Sequence, residues 1–117
     1  MKTVHVKLSP EAEEVYNYLN KQAPTSKTER TIFNAIEKKK ELIKANMHYG
    51  EPVAKKIIPP EYKKKYGITN LFWVELPNFW RMLYTLTEGE TTIEIIAFVL
   101  DIMDHKKYNK KFGYKNT

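Results

Sequence analysis

The sequence predicts an α+β fold: an N-terminal strand, a two-helix hairpin packed on a mostly antiparallel four-stranded sheet, and a short C-terminal helix. Three observations predict it. Residues 3–7 alternate with the two-residue rhythm of a strand, two long segments carry apolar residues at helical spacing, and the last third holds three strand-like runs separated by turn residues. Because strands and helices occur in blocks, the helices are expected on one face of the sheet. A length of 117 residues suits a single domain over 1–117, with one core and no room for a separate cofactor domain.

The elements follow in order. Residues 3–7 (T-V-H-V-K) are β-branched at alternate positions and read as a strand. Ser9 and Pro10 open a helix as N-cap and first helical residue, and Glu11, Glu13 and Glu14 suit the positive end of its dipole. Ala12, Val15, Tyr16 and Leu19 form its apolar stripe, and Pro24 ends it near Gln22. Ser26-Lys27-Thr28-Glu29 is a capping box for a second helix that buries Ile32, Phe33, Ile36, Ile43 and Met47 and stops at Gly50. Pro52, Pro59 and Pro60 break the next stretch, where Pro60–Tyr66 predicts one or two helical turns closed by Gly67. Residues 71–76 and 79–86 form a hairpin about Pro77-Asn78. Residues 91–100 form the next strand, apolar enough from 95 to 100 to be the middle one, covered on both faces. Residues 106–112 suit a last short helix, and residues 115–117 should fray.

Composition excludes several chemistries. There is no cysteine, hence no disulfide, thiolate nucleophile or Cys-based zinc site. The three histidines are far apart, and Glu94, Asp101 and Asp104 are too thin a set for magnesium, so no metal site is expected. Four glycines form no phosphate-cradling loop, and no cofactor is expected. The first residues lack the apolar region of a signal peptide, and no apolar run approaches the ~20 residues of a membrane span; the expected compartment is the cytoplasm, away from membranes. The net charge of +6, with eighteen Lys against two Arg, attracts polyanions such as RNA.

Chemistry-bearing side chains concentrate at the end. Arg81 is the sole arginine after residue 30, always charged and bidentate toward phosphate, and is a candidate catalytic cation; its structural alternative is a pair with Glu75 or Glu94. His105 is poised between acid and base near neutral pH; alternatively it bonds Asp101 or Asp104. Tyr108 is a candidate acid, base or base platform; alternatively it packs the tail on the sheet. RNA cleaved by its own 2′-hydroxyl needs a base, phosphate-neutralising cations and an acid, which these three supply if they share one solvent-open pocket. Lys63, Lys64, Lys65, Lys106, Lys107 and Lys110 are candidate RNA-backbone contacts or solvated faces. Trp73, Phe79 and Trp80 either stack bases or fill a core; core is expected for Trp80, on the opposite face from Arg81.

N-L-F-W-V-E-L-P-N-F-W-R-M-L-Y at residues 70–84 and D-H-K-K-Y-N-K-K-F-G-Y at 104–114 resemble the RelE/ParE superfamily of toxins from bacterial and archaeal toxin–antitoxin systems. The similarity is to a basic subgroup with N-L-[WF]-x-x-x-L-P-x-x-W-R-x-[LI]-Y and D-H-K-x-Y-x-K-x-F-G-Y. The resemblance implies a toxin that binds RNA or the ribosome, a ribosome-dependent, metal-independent mRNA endonuclease activity and a cognate antitoxin. It also admits a non-catalytic module of the same fold, either a ParE-like topoisomerase inhibitor or an inactive relative. It places Arg81 where the family's aromatic-Arg-x-x-Tyr strand contacts the scissile phosphate, Tyr108 where the RNases carry a C-terminal tyrosine, and His105 where relatives have His or Arg. Lysines of the best-known RNases' first hairpin strand are Trp73 and Glu75 here, and residues 101–104 lack those RNases' strand-end arginine.

Overall fold

Alternation of apolar and polar residues sets the strands, and the order of their pairing sets the site. A computed structural model describes residues 2–91 and 93–113. Its single sheet runs β1-β5-β4-β3-β2, with β1 Thr3–Leu8, β2 Glu51–Pro52, β3 Phe72–Leu76, β4 Trp80–Glu88 and β5 Glu94–Met103. The sheet therefore has five strands where four were expected, and it is mixed. β1 lies parallel to β5, with Val4 opposite Ile95 and Leu8 opposite Val99, while the other pairs are antiparallel. The extra strand β2 is two residues long, and its Pro52 is tolerated because β2 is an edge. β5 lies inside the sheet as expected, but the central position belongs to β4, and β5 extends three residues further than its apolar run suggests.

Helices cover both faces, not one. α1 (Pro10–Gln22) and α2 (Lys27–Ala45) bury Ala12, Leu19, Ile32, Ile36 and Ile43 against Val74, Met82, Tyr84, Val99 and Ile102. α3 (Pro60–Tyr66) and α4 (His105–Phe112) bury Tyr62 and Tyr108 against Leu83, Leu100 and Met103 on the other side. The cause is visible in β4, where Met82 and Tyr84 face one core and Leu83 faces the other. A strand apolar on both sides needs two covers. The caps are as read: Ser9 Oγ accepts from Ala12 N at 3.0 Å, and Gly67 closes α3 at φ 62°. Gly50 is not the stop of α2, which ends at Ala45. It is glycine because a Cβ there would stand 2.9 Å from Tyr84 Cε1 and 3.0 Å from the Trp73 carbonyl oxygen.

Two irregularities aim side chains. Leu83 pairs with Asp101 but Tyr84 with Val99, so Leu100 is the extra residue of a bulge. Leu100 and Asp101 consequently both turn toward α3 and α4, and the Leu100 carbonyl, outside the β4 register, accepts from Ser9 Oγ at 2.7 Å. The hairpin loop is three residues long, since Leu76 pairs with Trp80, and it holds Asn78 and Phe79 at φ 59° and 62°. Tyr114 and residues 115–117 lie outside the described residues.

Candidate functional site

Arg81 sits on β4 opposite Glu75 and Met103, on the face covered by α4. Its guanidinium carbon is 4.1 Å from the Trp73 ring centroid and 4.4 Å from that of Tyr108. Trp73 pairs with Leu83, two residues beyond Arg81, so it reaches the guanidinium diagonally along one face. Tyr108 comes from α4, is 4% exposed, and stacks on Phe112 at 4.4 Å with the rings 21° apart. The half-buried guanidinium thus lies within cation–π distance of two aromatic rings.

Neither structural alternative for Arg81 forms. Among the described residues no ion pair includes it: the Glu75 side chain opposite is exposed, and Glu94 instead lies 3.6 Å from His5.

His105 is the first residue of α4 and is exposed. Its Nε2 is 3.0 Å from Asn109 Nδ2. The expected aspartate partners are engaged elsewhere. Asp104 caps α4 by accepting from Lys107 N at 2.9 Å, and Asp101 accepts from Tyr62 Oη at 2.5 Å and Lys111 Nζ at 3.2 Å. Burial, reinforced by Asp101, pushes the Tyr62 phenol up, which keeps it a donor. The structure therefore brings Arg81 and Tyr108 into contact and sets His105 one helical turn before Tyr108, at the solvent-facing start of the helix. The three do not form one open pocket, because Tyr108 is buried and serves as a wall for Arg81.

The candidate lysines fall on two helices of the same face. Lys106, Lys107 and Lys110 are exposed on α4, and Lys63, Lys64 and Lys65 are exposed on α3. Lys65 is engaged by Glu11 and lies over the Tyr66 ring. Lys107 and Lys110 also border a groove of about 830 Å³ between α1 and α4, with Trp80 and Val15 among its apolar lining and Glu11 and Glu14 on the opposite rim. Trp80 packs against the α1 and α2 core, as expected. Among the described residues no group of three His, Asp or Glu side chains is placed to hold a metal ion, and no helix is long and apolar enough to cross a membrane.

Sequence reasoning missed Asn109 and left the roles of Trp73 and Phe79 open. Trp73 was read as a core or base-stacking residue and is instead a wall for Arg81; Glu75 and Arg81 being opposite across the hairpin was the signal. Asn109, which orients His105, is the i+4 neighbour on the same helix. Phe79, a base-stacking or core candidate from the sequence, is 77% exposed and does not fill the core. Comparison with protein-family models, curated proteins and solved structures finds no match.

Proposed function

We propose that this chain is a RelE-like toxin of a toxin–antitoxin system that binds RNA, with Arg81 gripping a backbone phosphate. One observation carries the reading: the guanidinium is held between Trp73 and Tyr108 at 4.1 and 4.4 Å and makes no ion pair among the described residues. The exposed lysines of α3 and α4 on the same face supply further backbone contacts. In the catalytic form of this proposal, the 2′-hydroxyl attacks the neighbouring phosphorus and the bond to the 5′-oxygen breaks, leaving a cyclic phosphate. Arg81 stabilises the charge that builds on the non-bridging oxygens. His105, exposed at the start of the helix whose Tyr108 contacts Arg81, takes the hydroxyl proton and returns one to the leaving oxygen. Tyr108 acts by holding Arg81. Ribosomes presenting mRNA are the proposed substrate, and a cognate antitoxin would be an acidic segment covering this basic face.

Purified ribosomes translating a defined mRNA test the proposal. Cuts by the wild type, absent with Arg81→Ala and reduced with His105→Ala, support the catalytic form. The buried Tyr108 phenol favours a second form, a non-catalytic module of the same fold. In that case the wild type binds RNA in an Arg81-dependent way and cuts nothing. Absence of both RNA binding and cleavage in the folded protein would end the proposal, and a gyrase block would move it to the topoisomerase-inhibitor branch.

A further inference from the structure

Phe79 is the outlier of the molecule. It is 77% exposed and has φ 62°, directly after Asn78 at φ 59°. Asparagine visits the left-handed region readily, whereas a bulky aromatic residue there is strained. Strain of this kind persists only where the surroundings impose it, and it concentrates at functional sites. Here the surroundings are the two strand ends, pinned by the pairing of Leu76 with Trp80. Packing does not explain the ring, because most of it faces water. Its aromatic neighbour is His105, with centroids 6.1 Å apart and planes tilted by 55°. His105 opens the helix whose Tyr108 supports Arg81, and Phe79 itself precedes Arg81 by two residues. The tip of the hairpin therefore sets an exposed aromatic face beside an imidazole, two residues before Arg81 along the chain.

We propose that Phe79 is a stacking platform for one unpaired base of single-stranded RNA whose adjoining phosphate lies on Arg81. The inference rests on the RNA reading above and adds to it a requirement for single-stranded RNA with a base present at the Phe79 position. Stacking on a phenyl face is sequence-tolerant, since every base has a π-face, so Phe79 contributes affinity and register without choosing the base. His105 closes the side of this platform and lies near the sugar of the same nucleotide.

The test is titration of the full chain with a short single-stranded RNA carrying 2-aminopurine, alongside the same oligonucleotide with an abasic site in place of the probe. Binding should quench the probe. Phe79→Ala should bind about tenfold more weakly and lose the quenching, and Phe79→Trp should restore both. The abasic oligonucleotide should bind wild type and Phe79→Ala alike. Phe79→Gly separates recognition from packing: it should weaken RNA binding as alanine does while melting at or above the wild-type temperature, because glycine relieves the strain. Wild-type affinity and quenching in Phe79→Ala, with Arg81→Ala still impaired, would overturn this inference and leave the RNA reading standing. Phe79→Gly melting well below wild type would make the ring a packing residue and overturn it too. No binding of any oligonucleotide by folded wild type would overturn both.

Discussion

Removing the Asp101 carboxylate should loosen the face that carries the site. Asp101 is turned toward α3 and α4 by the β5 bulge and accepts from Tyr62 Oη at 2.5 Å and Lys111 Nζ at 3.2 Å. The two ion-pair side chains are 17% and 22% exposed, so water screens them only in part. Asp101→Ala strips a charged acceptor from Tyr62, a residue 3% exposed, and that loss is worth about 2 kcal/mol. Lys111 keeps Glu61 at 3.3 Å and the Tyr62 ring at 4.8 Å, so its share is nearer 1 kcal/mol. The expected total is about 3 kcal/mol, measured by urea unfolding with its slope unchanged. Asp101→Asn, which keeps an acceptor, should cost about 1 kcal/mol. In a double-mutant cycle with Tyr62→Phe, the coupling should be about 1.5–2 kcal/mol. Additivity within ~0.3 kcal/mol would refute the claim that this bond docks α3 on the sheet.

Glu11 gives a pH signature. The Lys65 ammonium, then the Tyr66 hydroxyl, hold its carboxyl down to about 2 from 4.5. Its folded pKa is depressed, so its contribution is full above pH 4.5 and is lost as pH falls from 4.5 through about 2. Glu11→Gln should therefore melt below wild type at neutral pH, and the two melting curves should converge under strong acid. Ser9→Ala removes both the α1 cap at 3.0 Å and the acceptor-satisfying bond to the Leu100 carbonyl at 2.7 Å, at a cost of about 2 kcal/mol in chemical unfolding. A loss below about 0.5 kcal/mol would show that the bulge carbonyl does not depend on Ser9.

Local chemistry made the first half of the chain legible. Ser9-Pro10, Ser26 with Glu29, and Gly67 mark helix ends whose reasons lie within a few residues, and each functions at its predicted place. What the sequence left open was decided by partners distant along the chain. The residues of β1 predict a strand but not its parallel pairing with β5, some ninety residues away. The apolar run of β5 predicts cover on both faces, yet the block order of strands and helices predicts helices on one face only; the short α3 and α4 supply the second cover. The bulge at Leu100 leaves no mark in a run of apolar residues, and it reverses the side on which Asp101 emerges. At the site, the prominence of Arg81 was legible as an arginine in a lysine-rich chain, and so was its separation from Trp80 on the opposite face. Its two aromatic walls were not, because one depends on a three-residue loop setting the hairpin register and the other on where α4 folds back.

Arg30 and Arg81 are the two arginines of the chain, so their side-chain Nε–H signals in a nitrogen–proton NMR spectrum can be assigned with one Arg30→Lys variant. Titrating the protein with single-stranded RNA then watches the guanidinium itself. The Arg81 signal, displaced in the free protein by the Trp73 and Tyr108 rings, should move and exchange more slowly with water as a phosphate binds its edge, while the exposed Arg30 signal stays in place. An Arg81 signal that is unmoved at saturating RNA, or that moves no more than Arg30, would contradict the assignment of this clamped cation as the phosphate grip.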